Sequence, residues 1–170
     1  MLDILKHIAR TGILSETPPR LADLQRTERE LQARIRQVLG RALAIRQVDA
    51  GSCNGCELEI QALHNPYYNL EGDGIHFVAS PRHADLLLVT GPVTRHMETA
   101  LRRTYDAAPD PKLVVAVGDC GCDGGVFAPS YACVGPVSAV IPVDVSVPGC
   151  PPDPLAILAG IFAAVDHRRP

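Results

Sequence analysis

KLVVAVGDC, residues 112 to 120, runs five apolar residues together, breaks on a glycine and ends on a cysteine. A run so short and so uniformly apolar reads as a strand buried on both faces, the kind found inside a parallel sheet. DLLLVTG (85–91) repeats the pattern. Working outward, LAIRQVDA (43–50) and IHFVAS (75–80) read as further strands, and AVIPVDVSVPG (139–149) as a last extended segment. Between them, GCELEIQALHNPYY (55–68), VTRHMETALRRTYDAA (93–108) and DPLAILAGIFAAVDHRR (153–169) read as helices, with a Gly-rich loop after Cys120.

This alternation predicts an α/β domain over residues 42–170, a parallel sheet with helices on both faces, flavodoxin-like in outline. Residues 1–41 stand apart. They contain a turn signal, SETPPR, and then Leu21, Leu24, Leu31, Ile35, Val38 and Leu39 at helical spacing among charges. They are expected to form a helical extension that docks on another subunit rather than completing the core. The chain has 170 residues, 46% of them hydrophobic and 21% charged, which suits one soluble domain. A net charge of −3 with no basic stripe argues against nucleic-acid binding. No stretch reaches the length of a membrane span, and the N-terminus lacks the features of a secretory signal. A cytoplasmic setting is expected, where structural disulfides are uncommon, so six cysteines ask for another explanation.

In GSCNGCELEI (51–60), Cys53 and Cys56 follow the first strand. Taken alone, a Cys-x-x-Cys can be a redox dithiol, half of a zinc site or half of an iron–sulfur site. Cys120 follows another strand and Cys150 follows the last extended segment. All four therefore lie at carboxyl ends of strands, which gather on one edge of an open α/β sheet. Sixty-three residues separate Cys56 from Cys120 and twenty-nine separate Cys120 from Cys150, yet the sheet can bring them to one point. Four thiolates flanked by Gly51, Gly55, Gly118, Gly121 and Gly149 suit an iron–sulfur cluster, whose inorganic sulfides need close backbone approach. A zinc site would more often show two short knuckles, and only one is present. CGC at 120–122 could offer either thiol, although residues i and i+2 rarely both turn toward one metal in a tight loop, and Cys133 reads as a packing thiol. His7, His64, His76, His83, His96 and His167 show no ligand spacing.

Taken together, GSCNGCELEI, VASPRHADLLLVTGPVTRHM, APDPKLVVAVGDCG, GGVF and IPVDVSVPGCPP resemble the small electron-transferring subunit of membrane-bound NiFe hydrogenases of the formate hydrogenlyase type. That family is homologous to the B subunit, of 20 kDa type, of respiratory complex I. The likeness runs from about residue 44 to 165. It implies a flavodoxin-like domain with one 4Fe–4S cluster on Cys53, Cys56, Cys120 and Cys150, proximal to the active site of a large subunit. It also implies electron passage between a ferredoxin-like subunit and that large subunit, membrane-arm subunits nearby, and a peripheral position on the cytoplasmic side of the membrane. The spaced Cys53–Cys56 pair is similar to the hydrogenases, whereas complex I has adjacent cysteines. Asp119 stands where the family usually has a small residue, and Cys122 where it usually has a polar one. SPRHAD (80–85) and TGPVTR (90–95) are expected to shape the large-subunit interface, although ordinary turn chemistry also explains them. Glu57 suits a helix start, while Glu59 matches a family glutamate near a suggested proton path. An NADH–quinone oxidoreductase-like module is the neighbouring alternative. A flavin or nucleotide binder lacks a phosphate loop, and a thiol–disulfide oxidoreductase would leave Cys120 and Cys150 unexplained.

Overall fold

The computed structural model describes residues 40–72 and 74–167, preceded only by Lys6, Arg10, Ala33 and Gln37. Apart from Ala33 and Gln37, the expected helix over residues 21–39 lies outside the described residues, as does its docking. The main sheet has five parallel strands: β1 (Leu43–Asp49), β2 (Ile75–Phe77), β3 (Leu86–Thr90), β5 (Leu113–Val117) and β7 (Val145–Val147). Their order is β2-β1-β3-β5-β7. That is the 2-1-3-4-5 winding of the flavodoxin type, with its topological switch between β1 and β3. The helices are α1 (Gly55–Ala62), α2 (Arg95–Ala107), α3 (Asp119–Asp123) and α4 (Pro154–His167). A small antiparallel pair, β4 (Val93–Thr94) with β6 (Cys133–Gly135), flanks the sheet.

The reading of β3 and β5 as strands covered on both faces holds, since every residue of each is buried. Their side chains alternate between two cores. Leu86 and Leu88 join Val115, Val117, Ile60, Ile157 and Ile161 under α1 and α4. Leu87 and Val89 join Val114, Ala116, Leu101 and Val137 on the α2 side. Burial of large aliphatic side chains of this kind contributes about 1.5–3 kcal/mol each.

Three segments differ from the sequence reading. The extended segment 139–149 is broken: Val137–Ala139 form a 3-10 turn and only Val145–Val147 pair, against Val115–Val117. Pro142 and Pro148 lack the N–H that a longer ladder would need. Helix α1 stops at Ala62, short of Pro66, with Asn65 accepting from the amides of Tyr67 and Tyr68 in a following turn. The Gly-rich loop after β5 opens with the short helix α3.

Asp85, just before β3, ties the start of β1 to the sheet. Its buried carboxylate accepts from the Ala44 amide at 3.1 Å and from Arg41 Nη2 at 2.6 Å. Arg41 is 63% exposed, so the ion pair contributes little; the buried Ala44 amide sets the cost of losing the carboxylate. Asp85→Ala should lower stability by about 2 kcal/mol in denaturant unfolding of the full chain, and Asp85→Asn by less than half of that. An alanine variant as stable as wild type would contradict this role.

Candidate metal centre

All four strand ends that carry the site leave the sheet on one edge. Behind β1, Asp49 accepts from the amides of Gly51 and Ser52 at 2.8 Å each, turning the chain into the Cys53 loop. Asn54 then takes a left-handed conformation (φ 73°) and α1 begins, with Cys56 in its first turn. Behind β5, Gly118 leads directly into α3 and Cys120. Behind β7 comes Gly149 and then Cys150.

These loops enclose one cavity of about 140 Å³. Its lining includes Cys53, Cys56, Cys120 and Cys150, together with Asp119 and Pro151. The convergence expected from strand topology is therefore present. Two glycines are required by the sulfurs. A Cβ on Gly118, whose φ is +85°, would stand 2.6 Å from Cys56 Sγ, and one on Gly125 (φ +52°) would stand 2.9 Å from Cys120 Sγ. Either side chain would displace a thiol from the cavity.

The electrostatics of the pocket resist four bare thiolates. Burial pushes the Cys56 thiol up to about 12, with the Glu57 carboxylate and then Cys120, Cys53 and Cys150 adding to it. Cys120 is raised by burial first and then by Cys150, Cys53 and Asp119. A bound cation would reverse that repulsion. The donor set suits an iron–sulfur group: four sulfurs, a lining that is mainly apolar, and glycines that bring backbone close.

The other candidates fall elsewhere. Cys122 directs Sγ away from the cavity toward the Ala116 carbonyl at 3.9 Å, and Cys133 sits in β6. No histidine lines the cavity; His64 sets Nδ1 3.2 Å from the Ile60 carbonyl and packs its ring on Phe77. Among the described residues, no three His, Cys, Asp or Glu side chains come close enough to hold a single metal ion. Glu59 is half-buried on α1 and outside the cavity lining. Glu57, read as a plain helix-start carboxylate, is buried with both oxygens lacking a hydrogen-bond partner. Of SPRHAD, Asp85 turns inward, and of TGPVTR, Arg95 Nε donates to the Tyr131 carbonyl. Sequence reasoning missed the link between Asp119 and the Cys150 loop. Asp119 Oδ1 accepts from the Gly149 amide at 2.7 Å, and the Asp119 amide donates to the Gly149 carbonyl at 2.9 Å. Thirty positions separate the partners, so no local signal announces them.

Residues 53–164 match the family described as NADH ubiquinone oxidoreductase, 20 kDa subunit. The chain is 47% identical over 141 residues to a probable membrane-bound hydrogenase subunit of Pyrococcus furiosus, covering 81% of this chain and 84% of that one. It is 44% identical over 135 residues to formate hydrogenlyase subunit 7 of Escherichia coli, covering 79% of this chain and 53% of the relative's length. Among solved structures, a chain of the membrane-bound sulfane sulfur reductase, an archaeal respiratory membrane complex, superposes with a TM-score of 0.67 at 35% identity. That match covers 83% of this chain and 75% of the other.

The thiols should differ in reactivity before any metal is added. Cys53 and Cys150 are exposed and Cys56 is buried. A rise from 9.0 to about 12 cuts the Cys56 thiolate fraction near pH 8 about a thousandfold. Iodoacetamide at that pH should modify Cys53 and Cys150 of the metal-free chain while sparing Cys56, whose rate should keep rising toward pH 12. Equal labelling of Cys56 at pH 8, read by peptide mass spectrometry, would contradict this environment.

Proposed function

The chain belongs to the NADH ubiquinone oxidoreductase 20 kDa subunit family, and from that premise we propose that it is the electron-transfer subunit of a membrane-associated NiFe hydrogenase-type complex. The observation that carries the proposal is the convergence of Cys53, Cys56, Cys120 and Cys150 on one cavity. These four thiolates are assigned to one 4Fe–4S cluster. Cys53, Cys56, Cys120 and Cys150 would be the residues that hold it, as thiolates. When bound, the cluster supplies one-electron transfer. The residues supply the rest: Gly118 and Gly125 make room for the sulfurs, Pro151 walls the cavity beside Cys150, and Asp119 sets charge at its rim.

A cluster held by all four thiolates would offer no open position to a substrate, so chemistry is assigned to a large subunit seated against these loops. Leu58, Val126, Phe127 and Tyr131 are exposed apolar side chains carried by α1 and by the segment that follows α3, which suits such a partner. A ferredoxin-like subunit is the proposed electron partner on the other side. Among the described residues no helix is long and apolar enough to cross a membrane, so attachment through membrane-arm subunits on the cytoplasmic side is proposed. Residues 1–41 are assigned to docking within that complex. Glu59 remains the proton-path candidate through the family resemblance.

A second reading is favoured by the family's own description: a partner that reduces quinone in place of protons. The spaced Cys53–Cys56 pair and the 47% identity to a hydrogenase subunit weigh toward the first. Nickel in the assembled complex would support the hydrogenase reading, and quinone reduction without nickel would support the second.

Serine replacement of Cys53, Cys56, Cys120 or Cys150 should abolish or convert the cluster in the purified complex, whereas Cys122→Ser and Cys133→Ser should retain the wild-type iron content. Unchanged iron and an unchanged reduced-state resonance in Cys150→Ser would overturn the ligand assignment. The isolated chain should evolve no hydrogen from a reduced low-potential dye. Deleting residues 1–41 should leave the iron content per chain intact while weakening assembly. A truncated chain that fails to fold within the complex would place that segment in the core.

A further inference from the structure

Asp119 precedes Cys120 in the chain and lines the cavity, and its carboxylate bonds the loop that carries Cys150. The ladder between β5 and β7 continues past the strand ends, with the Gly118 amide donating to the Val147 carbonyl at 2.8 Å and the Asp119 amide to the Gly149 carbonyl at 2.9 Å. Where a further backbone acceptor would be needed, Asp119 Oδ1 takes the Gly149 N–H at 2.7 Å, a charge-assisted length. The next residue on one side is Cys120 and on the other is Cys150. Gly149 lies at φ +135°, and a Cβ there would meet Pro152 Cα at 2.6 Å, so this turn depends on a conformation that side chains rarely adopt. Cys150 itself is exposed.

We propose that Asp119 is a positioning residue: its carboxylate staples the Cys150 loop to the Cys120 loop and so fixes the separation of those two thiolates before a cluster is bound. The same bond occupies the Gly149 N–H, which a small residue at 119 would leave without this acceptor. The inference rests on the cluster reading for its consequence, but the staple itself is a property of the polypeptide.

Two variants separate holding from charge. Asp119→Asn keeps an oxygen that can accept the Gly149 N–H; Asp119→Ala removes the acceptor. Amide hydrogen exchange on the full chain should show the Gly149 N–H protected in wild type and in Asp119→Asn, and exchanging about tenfold faster in Asp119→Ala. In the assembled complex, iron release to a ferrous chelator should be about tenfold faster for Asp119→Ala and within about twofold of wild type for Asp119→Asn. Rescue by asparagine is the outcome that a general loss of stability would not produce. Unchanged Gly149 protection in Asp119→Ala overturns the staple whatever cofactor is present. Faster exchange with wild-type iron release overturns the positioning role. A wild-type complex without an iron–sulfur centre defeats the cluster reading and the positioning role with it, while the exchange measurement still decides whether the staple exists.

Discussion

Parallel pairing of β3 with β5, five buried residues on each, fixes where every loop of the site leaves the sheet. Because β1 and β7 pair in the same direction on either side, the chain emerges four times on the same edge. Cys53 and Cys56 leave behind β1, Gly91 behind β3, Cys120 behind β5 and Cys150 behind β7. The core therefore does more than stabilise. Registers such as Thr90 against Val117 and Val117 against Val147 set the level at which each loop begins. A one-residue slip in any of them would exchange the two cores and withdraw a thiol from the cavity.

Onto that frame the sequence adds close approach rather than bulk. Gly118 gives Cys56 its space, Asp49 turns the chain into the first cysteine loop, and Asp119 joins the second loop to the third. The cavity is consequently apolar in lining but surrounded by acidic groups, with Glu57 buried beside Cys56 and Asp119 at the rim. Both raise the cost of ionising the thiols, and both would bear on the reduction potential of a group held there.

The parts legible in the sequence are those governed by short-range patterning. LLLVT and LVVAV are strands in either context because unbroken runs of four and five apolar residues have to be covered on both faces. Helix α2, expected over 93–108, occupies Arg95–Ala107. Cysteines placed after strands could be assigned to one edge by topology alone. What was not legible depends on distant partners or on interrupted ladders. Residues 139–149 have strand-like composition, but Pro142 and Pro148 confine pairing to Val145–Val147. The pair β4 with β6 is too short to show a period. At the start of α1, the alternation of Glu57 and Glu59 offers no clue that the first is buried and the second half-exposed, since that depends on how the helix lies on the sheet. Asp119 was visible only as an unusual residue beside Cys120; its bond to Gly149 could not be read from either neighbourhood.

The central claim is that four thiolates from three separate loops share a single cluster. The most direct measurement is the iron, acid-labile sulfide and zinc content of the anaerobically purified full chain in its complex, counted per copy of this subunit after the partners' own centres are subtracted using a complex that lacks it. The account predicts about four irons and about four sulfides for this subunit, with no zinc. One zinc and no sulfide, or no metal at all, would contradict it.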